Sequence, residues 1–117
     1  MKNNIIKEKS FDFALTIIAL YKTLVEKKEF IISKQLLRSG TSIGANVEES
    51  TAAQSIMDFV HKLSIASKEA RETKYWLLLL QKSQLTPLDF SSYLKDVDEI
   101  INILTSIIKT IQEKNLK

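Results

Sequence analysis

Apolar residues recur at three- and four-residue spacing along four separate stretches of this chain, the rhythm of helices that each bury one face. In the first stretch Ala14, Leu15, Ile18, Tyr21, Leu24 and Val25 keep the spacing, and Phe11, Ile17 and Leu20 widen the apolar face. Ser10 stands where an N-cap belongs and Asp12 falls in the first turn. These signals predict a helix over about 10–27 behind a Met1–Lys9 segment that is polar and frayed apart from Ile5 and Ile6. Lys28 to Ile32 reads as a turn, with Phe30 or Ile31 plugging one end of the structure.

Ser33 is then placed to cap a second helix over about 33–51, carried by Leu36, Leu37, Gly40, Ile43, Gly44 and Val47. Ser55-Ile56-Met57-Asp58 has the form of a capping box and predicts a third helix over about 55–83. Its apolar face runs through Ile56, Phe59, Val60, Leu63, Ala66, Ala70, Thr73, Leu77 and Leu80. Thr86-Pro87-Leu88-Asp89 offers a threonine N-cap, a proline at the first helical position and an acid at the third. A fourth helix over about 87–113 follows, with Phe90, Leu94, Val97, Ile101, Leu104, Ile108 and Ile111 in a heptad register.

Four helices with short connections run antiparallel to their neighbours, so the expected fold is all-α, an up-down-up-down four-helix bundle forming one domain. Tyr93, Ile100 and Ile107 add a third apolar column to the fourth helix, and the first helix is also wide. Ile100, Ile103 and Ile107 are not expected all to face one four-helix core, which points to buried surface between subunits.

Both glycines of the chain fall in the second helix, four residues apart. Each interior glycine costs a helix about 0.8–1 kcal/mol relative to alanine, so two of them require a structural return. Gly40 and Gly44 share a face. With Ser39, Ser42 and Ala45 they make a smooth strip that another backbone can approach closely. Asn46 and the Glu48-Glu49 pair bring polar groups beside it. A buried Asn46 must find a hydrogen-bond partner, either a neighbouring carboxylate or a backbone carbonyl.

Composition narrows the function classes. Two glycines and one proline in 117 residues are too few for a β sandwich or barrel. Hydrophobic residues at 44% and charged residues at 26% suit a soluble globular domain. No cysteine is present, which excludes disulfides, zinc–thiolate sites and cysteine nucleophiles. No run reaches the apolar length of a membrane span, and Phe13–Tyr21 lacks the flanks of a signal peptide, so a cytoplasmic location is expected.

Candidate chemistry is thin. Asp58-x-x-His61 is a single imperfect match to a di-iron bundle motif, and His61 is the chain's only histidine. Ser64 and Ser67 near Lys68 or Lys74 have no glycine elbow and no partner acid. No phosphate-cradling Lys-Ser/Thr motif follows the glycines. An enzyme is therefore not expected, nor a metal or cofactor. The formal charge of +3 is permissive of nucleic acid. Lys34, Arg38, Lys62, Lys68 and Arg71, with Lys74, are the candidate phosphate contacts. Glu69 and Glu72 dilute them, and no stacking aromatics are interleaved.

Two segments resemble a known family, the small bacterial four-helix-bundle proteins also called 23S rRNA intervening-sequence proteins. Gln35-Leu36-Leu37-Arg38 and Ser42-Ile43-x-Ala45-Asn46-Val47-x-Glu49 resemble its second-helix signature. Phe59, Leu63, the run Lys68 to Thr73 and Trp76-Leu77 are similar to its third-helix pattern. The similarity spans roughly Ser10 to Ile111. Gly44 stands where the family often has proline, and Glu49-Ser50 where it has a Glu-Gly helix end.

The resemblance implies a ring-like homopentamer of antiparallel bundles, with Gly40, Ser42, Gly44, Asn46 and Glu49 as signature and packing positions. Members are encoded within insertions in large-subunit rRNA genes or stand free. A related branch is an accessory factor of the reverse transcriptase of diversity-generating retroelements and binds nucleic acid. No catalytic residue comes with the family. Two readings of function follow: an oligomeric scaffold on RNA or a ribonucleoprotein, and a protein-binding adaptor whose surface charge only keeps it soluble.

Overall fold

The structure, a computed structural model, describes residues 2–115. It contains four α-helices: α1 (Lys2–Glu26), α2 (Ile32–Ser50), α3 (Ile56–Ser83) and α4 (Ser91–Asn115). They form an antiparallel bundle measuring 51 × 23 × 21 Å, in which each helix packs against the next in sequence and α4 returns more loosely against α1. The all-α expectation holds, and the second and third helices begin and end within one residue of where the pattern placed them.

The first helix starts eight residues before Ser10. Ser10 is no cap; it is buried inside α1, and its hydroxyl donates to the Lys7 carbonyl at 3.2 Å. Ile6 is what holds the early turns down, since its side chain is buried in the core. Of the expected frayed segment, Met1 lies outside the described residues and the rest is helical. The seam of α1 also differs. Ile6, Phe13, Ile17, Leu20 and Leu24 face the core, whereas Phe11, Leu15 and Ile18 remain exposed. Two overlapping 3–4 stripes run along this helix, and periodicity alone does not choose between them.

The turn after α1 uses a lysine where glycine is usual. Lys28 has φ 66°, with its N–H donating to the Val25 carbonyl and that of Glu29 to the Leu24 carbonyl. That pair of bonds is a Schellman ending, built on a left-handed residue. Glu29 then caps α2 in place of Ser33. Its carboxylate accepts from the N–H groups of Ile31, Ile32 and Ser33 at 3.0, 3.1 and 2.5 Å. Three of the four orphan donors that open a helix converge near this one side chain. Ser33 instead sits buried inside the first turn, its hydroxyl donating to the Glu29 carbonyl. Phe30 and Ile31 plug nothing; they stand 58% and 78% exposed at the bundle's end.

At α3 the capping expectation holds, with the Ser55 hydroxyl accepting from the Asp58 N–H at 3.0 Å, although Ile56 itself is exposed. The fourth helix begins four residues after Pro87. Thr86 is buried with its hydroxyl unpartnered among the described residues, and the capping role passes to Asp89. The Asp89 carboxylate accepts from the Ser91 N–H and hydroxyl, while the Phe90 N–H donates across to the Gln81 side chain at 2.8 Å. Those local bonds hold residues 86–90 in an irregular loop, so the first helical turn forms only beyond it.

Val97, Ile100, Ile101, Leu104 and Ile107 of α4 are buried, as is Phe90 just before it, and Ile103 packs partly against them. The third apolar column is therefore spent inside the bundle. Unspent apolar surface lies on α1 instead.

The glycine strip behaves as the second helix predicts. A methyl built on Gly40 would stand 2.9 Å from Ile17 Cγ2 and 3.0 Å from its Cγ1. One on Gly44 would stand 3.2 Å from the Ser10 carbonyl oxygen. Ile17 and Ser10 are two turns apart on α1, so the strip is the seat of the α1–α2 crossing.

Candidate nucleic-acid interface

The candidate basic residues divide between two flanks of α3. Arg38, on α2, reaches over the α2–α3 seam: its Nη1 lies 3.2 Å from Glu69 Oε1, and its Nη2 contacts Glu72 Oε2. The same Glu72 oxygen accepts from the Trp76 indole N–H at 3.0 Å. That indole and the Arg38 guanidinium hold the Glu72 carboxyl below the usual carboxylate range. Lys34, one turn before Arg38, is exposed on the same helix, and Lys62 precedes Glu69 by seven residues, two turns along one face. This flank carries cations and anions together, and Arg38 is committed to a structural pair.

Signature positions on α2 serve the helix itself. The Ser42 hydroxyl donates to the Arg38 carbonyl at 2.6 Å, and the Asn46 amide donates to the Ser42 carbonyl at 2.9 Å. Asn46 thus meets its hydrogen-bonding demand on a backbone carbonyl. Glu49 is exposed in the last turn. Beneath this face the buried hydroxyls of Ser39 and Thr73 bond one another at 2.9 Å across the α2–α3 seam.

Lys68 and Arg71 lie on the opposite flank. They line a shallow open groove of about 410 Å³ between α3 and α4, joined by Lys109 of α4. None of these three cations has a carboxylate oxygen within 4 Å among the described residues. Ser64, Ser67, Thr105 and Gln112 add hydroxyls and an amide, and Ile108 is the one apolar residue of the lining. Among the described residues no acidic side chain and no aromatic ring lines it. Lys74, one turn beyond Arg71, is held away by Asp98 of α4 at 2.8 Å.

Sequence reading missed Lys109, which sits far from the other cations in the chain. Only the antiparallel pairing of α3 with α4 brings it opposite Ser64 and Ser67. Among the described residues no three His, Asp or Glu side chains gather where they could hold a metal ion, and His61 is exposed. No helix there is long and apolar enough to cross a membrane.

A second groove, of about 930 Å³, runs between α1 and α2. The exposed stripe of Phe11, Leu15 and Ile18 forms one wall, and Thr41, Gly44 and Ala45 the other. Lys7 and Glu48 pair across one end at 3.4 Å.

Residues 2–106 match the model of the 23S rRNA-intervening sequence protein family. The chain belongs to that family. A solved structure from Bacteroides thetaiotaomicron, described as a protein of unknown function from the S23 ribosomal protein family, is 55% identical. The alignment covers 93% of this chain and 99% of that one, with a TM-score of 0.86. That identity and score show that the two chains share one fold. No protein with a curated description matches the chain. The family description carries no catalytic activity.

Proposed function

We propose that this protein is a non-enzymatic, homo-oligomeric scaffold of the cytoplasm that associates with RNA or a ribonucleoprotein. The observation that carries the reading is the α3–α4 groove, where Lys68, Arg71 and Lys109 stand amid hydroxyl and amide groups, none within 4 Å of a carboxylate oxygen among the described residues. Phosphate oxygens are bound by this mixture of cationic and neutral donors. The description of the solved neighbour as a member of a ribosomal protein family supports the same class of partner.

Assembly is supported by α1. Phe11 at 64% and Leu15 at 52% exposure form, with Ile18, a contiguous apolar wall of a kind that monomers rarely leave open. A second copy is its occupant in this reading, and a closed ring of five is the expected assembly. Repetition of the cationic groove around such a ring makes weak individual contacts multivalent.

The test is binding of structured RNA as a function of salt. Affinity should fall steeply as salt rises, because each phosphate contact releases counterions. Absence of binding at low salt removes RNA from the account and leaves a protein-binding adaptor whose surface charge only keeps it soluble.

A further inference from the structure

The α3–α4 groove has a definite length and a definite number of cations. Along α3 it runs from Ser64 to Arg71, and along α4 from Thr105 to Gln112. Seven residues of helix at 1.5 Å each span about 10 Å. Each nucleotide of a strand carries one phosphate charge, so a groove of this length seats a few phosphates and its cations set how many are neutralised. It holds three cations, Lys68, Arg71 and Lys109.

Base reading needs stacking rings or donors and acceptors aimed at base edges. The lining offers no ring, and its neutral donors are the short hydroxyls and amide suited to phosphate and ribose. At its upper end Lys74 would extend the row of cations by one turn beyond Arg71. Asp98, reaching from α4, neutralises it at 2.8 Å and ties the two helices together there.

Resting on the RNA reading above, we infer that each copy grips the sugar–phosphate backbone of RNA over about three phosphates, without discriminating bases. Asp98 sets the length of that grip by withholding Lys74. The residue that limits the site is therefore an acid outside it, and removing its charge lengthens the footprint.

The experiment uses the whole protein in its native assembly, with fluorescently labelled oligouridylate and oligocytidylate of equal length, titrated over a range of salt. Both strands should bind alike, with log affinity falling by about 2–3 units per tenfold salt for each engaged copy. Lys68→Gln, Arg71→Gln and Lys109→Gln together should abolish most of that slope. These side chains are exposed or unpaired, so the fold should survive. Asp98→Asn should bind more tightly and steepen the slope by about 0.7–0.9 per copy. Glu26→Gln, an equal change of net charge on exposed α1, should leave the slope unchanged. A preference of more than about tenfold between the two strands overturns the inference, since one good base contact gives that much. So does a triple variant that binds like wild type, or an Asp98→Asn variant with an unaltered slope. Each of these leaves RNA binding itself standing, whereas failure of wild type to bind either strand at low salt overturns the proposed function and this inference together.

Discussion

The guanidinium of Arg38 and the carboxylate of Glu72 meet across the α2–α3 seam, and Trp76 donates its indole N–H to the same carboxylate. This relationship turns the single arginine of the second helix from a candidate ligand contact into a strap between helices. Pairs with this much exposure are screened by solvent and contribute about 0.2–1 kcal/mol.

Glu72→Gln should therefore destabilise the fold by no more than about 1 kcal/mol at neutral pH. The folded carboxyl is held below its unfolded value, so the stabilisation is complete above the unfolded range near 4.3 and is lost as pH falls through the folded value. Urea midpoints of wild type and variant should converge as the pH is lowered through that window. A gap that persists in strong acid would mean that the Trp76 and Arg38 contacts are not electrostatic in origin.

Gly40→Ala tests the α1–α2 crossing. Its new methyl would press on Ile17 at the branch of a fully buried side chain, with no flexible tip to yield. Overpacking costs about 1–3 kcal/mol, against a propensity gain of about 1 kcal/mol. The variant should be destabilised, and Gly44→Ala less so, because the contact there is 3.2 Å from a single carbonyl oxygen. A denaturant midpoint for Gly40→Ala above wild type would remove the close crossing from the account.

Lys28→Gly should stabilise the protein. A lysine at φ 66° carries a left-handed penalty of about 1–2 kcal/mol that glycine avoids, partly offset by glycine's greater unfolded-state entropy. The net gain should be a few tenths to about 1 kcal/mol, whereas Lys22→Gly inside α1 should lose about 1 kcal/mol. Thermal melts of the two variants should move in opposite directions.

The contrast between these positions explains what was legible in the chain. The second and third helices could be bounded to one residue because their cues are local: a Ser55–Asp58 cap, and an apolar face with one dominant stripe. Ser10 and Thr86-Pro87 carry equally good local cues, and other contacts override both. Burial of Ile6 extends α1 past Ser10, and the Asp89 and Gln81 bonds delay α4 past Pro87. Glu29 as a cap was invisible because it lies outside any capping-box spacing. The division of the cations was invisible for another reason: which flank of α3 meets α2, and which meets α4, is a property of the packed bundle. Arg38 and Arg71 read alike in sequence and face opposite neighbours.

Phe11→Glu with Leu15→Glu should separate folding from assembly. Both side chains are more than half exposed in the isolated bundle, so helical content should persist while the native mass falls. Loss of helicity in this variant would place the stripe in the core of the fold and not at a subunit boundary.

The account's central claim is an assembled scaffold carrying RNA, and light scattering of the purified protein with and without added RNA tests it in one measurement. The predicted result is a particle of several 13.4 kDa chains at micromolar concentration, five in the expected ring, whose mass rises when RNA is added at low salt. A monomer of 13.4 kDa whose mass does not change on adding RNA would contradict it.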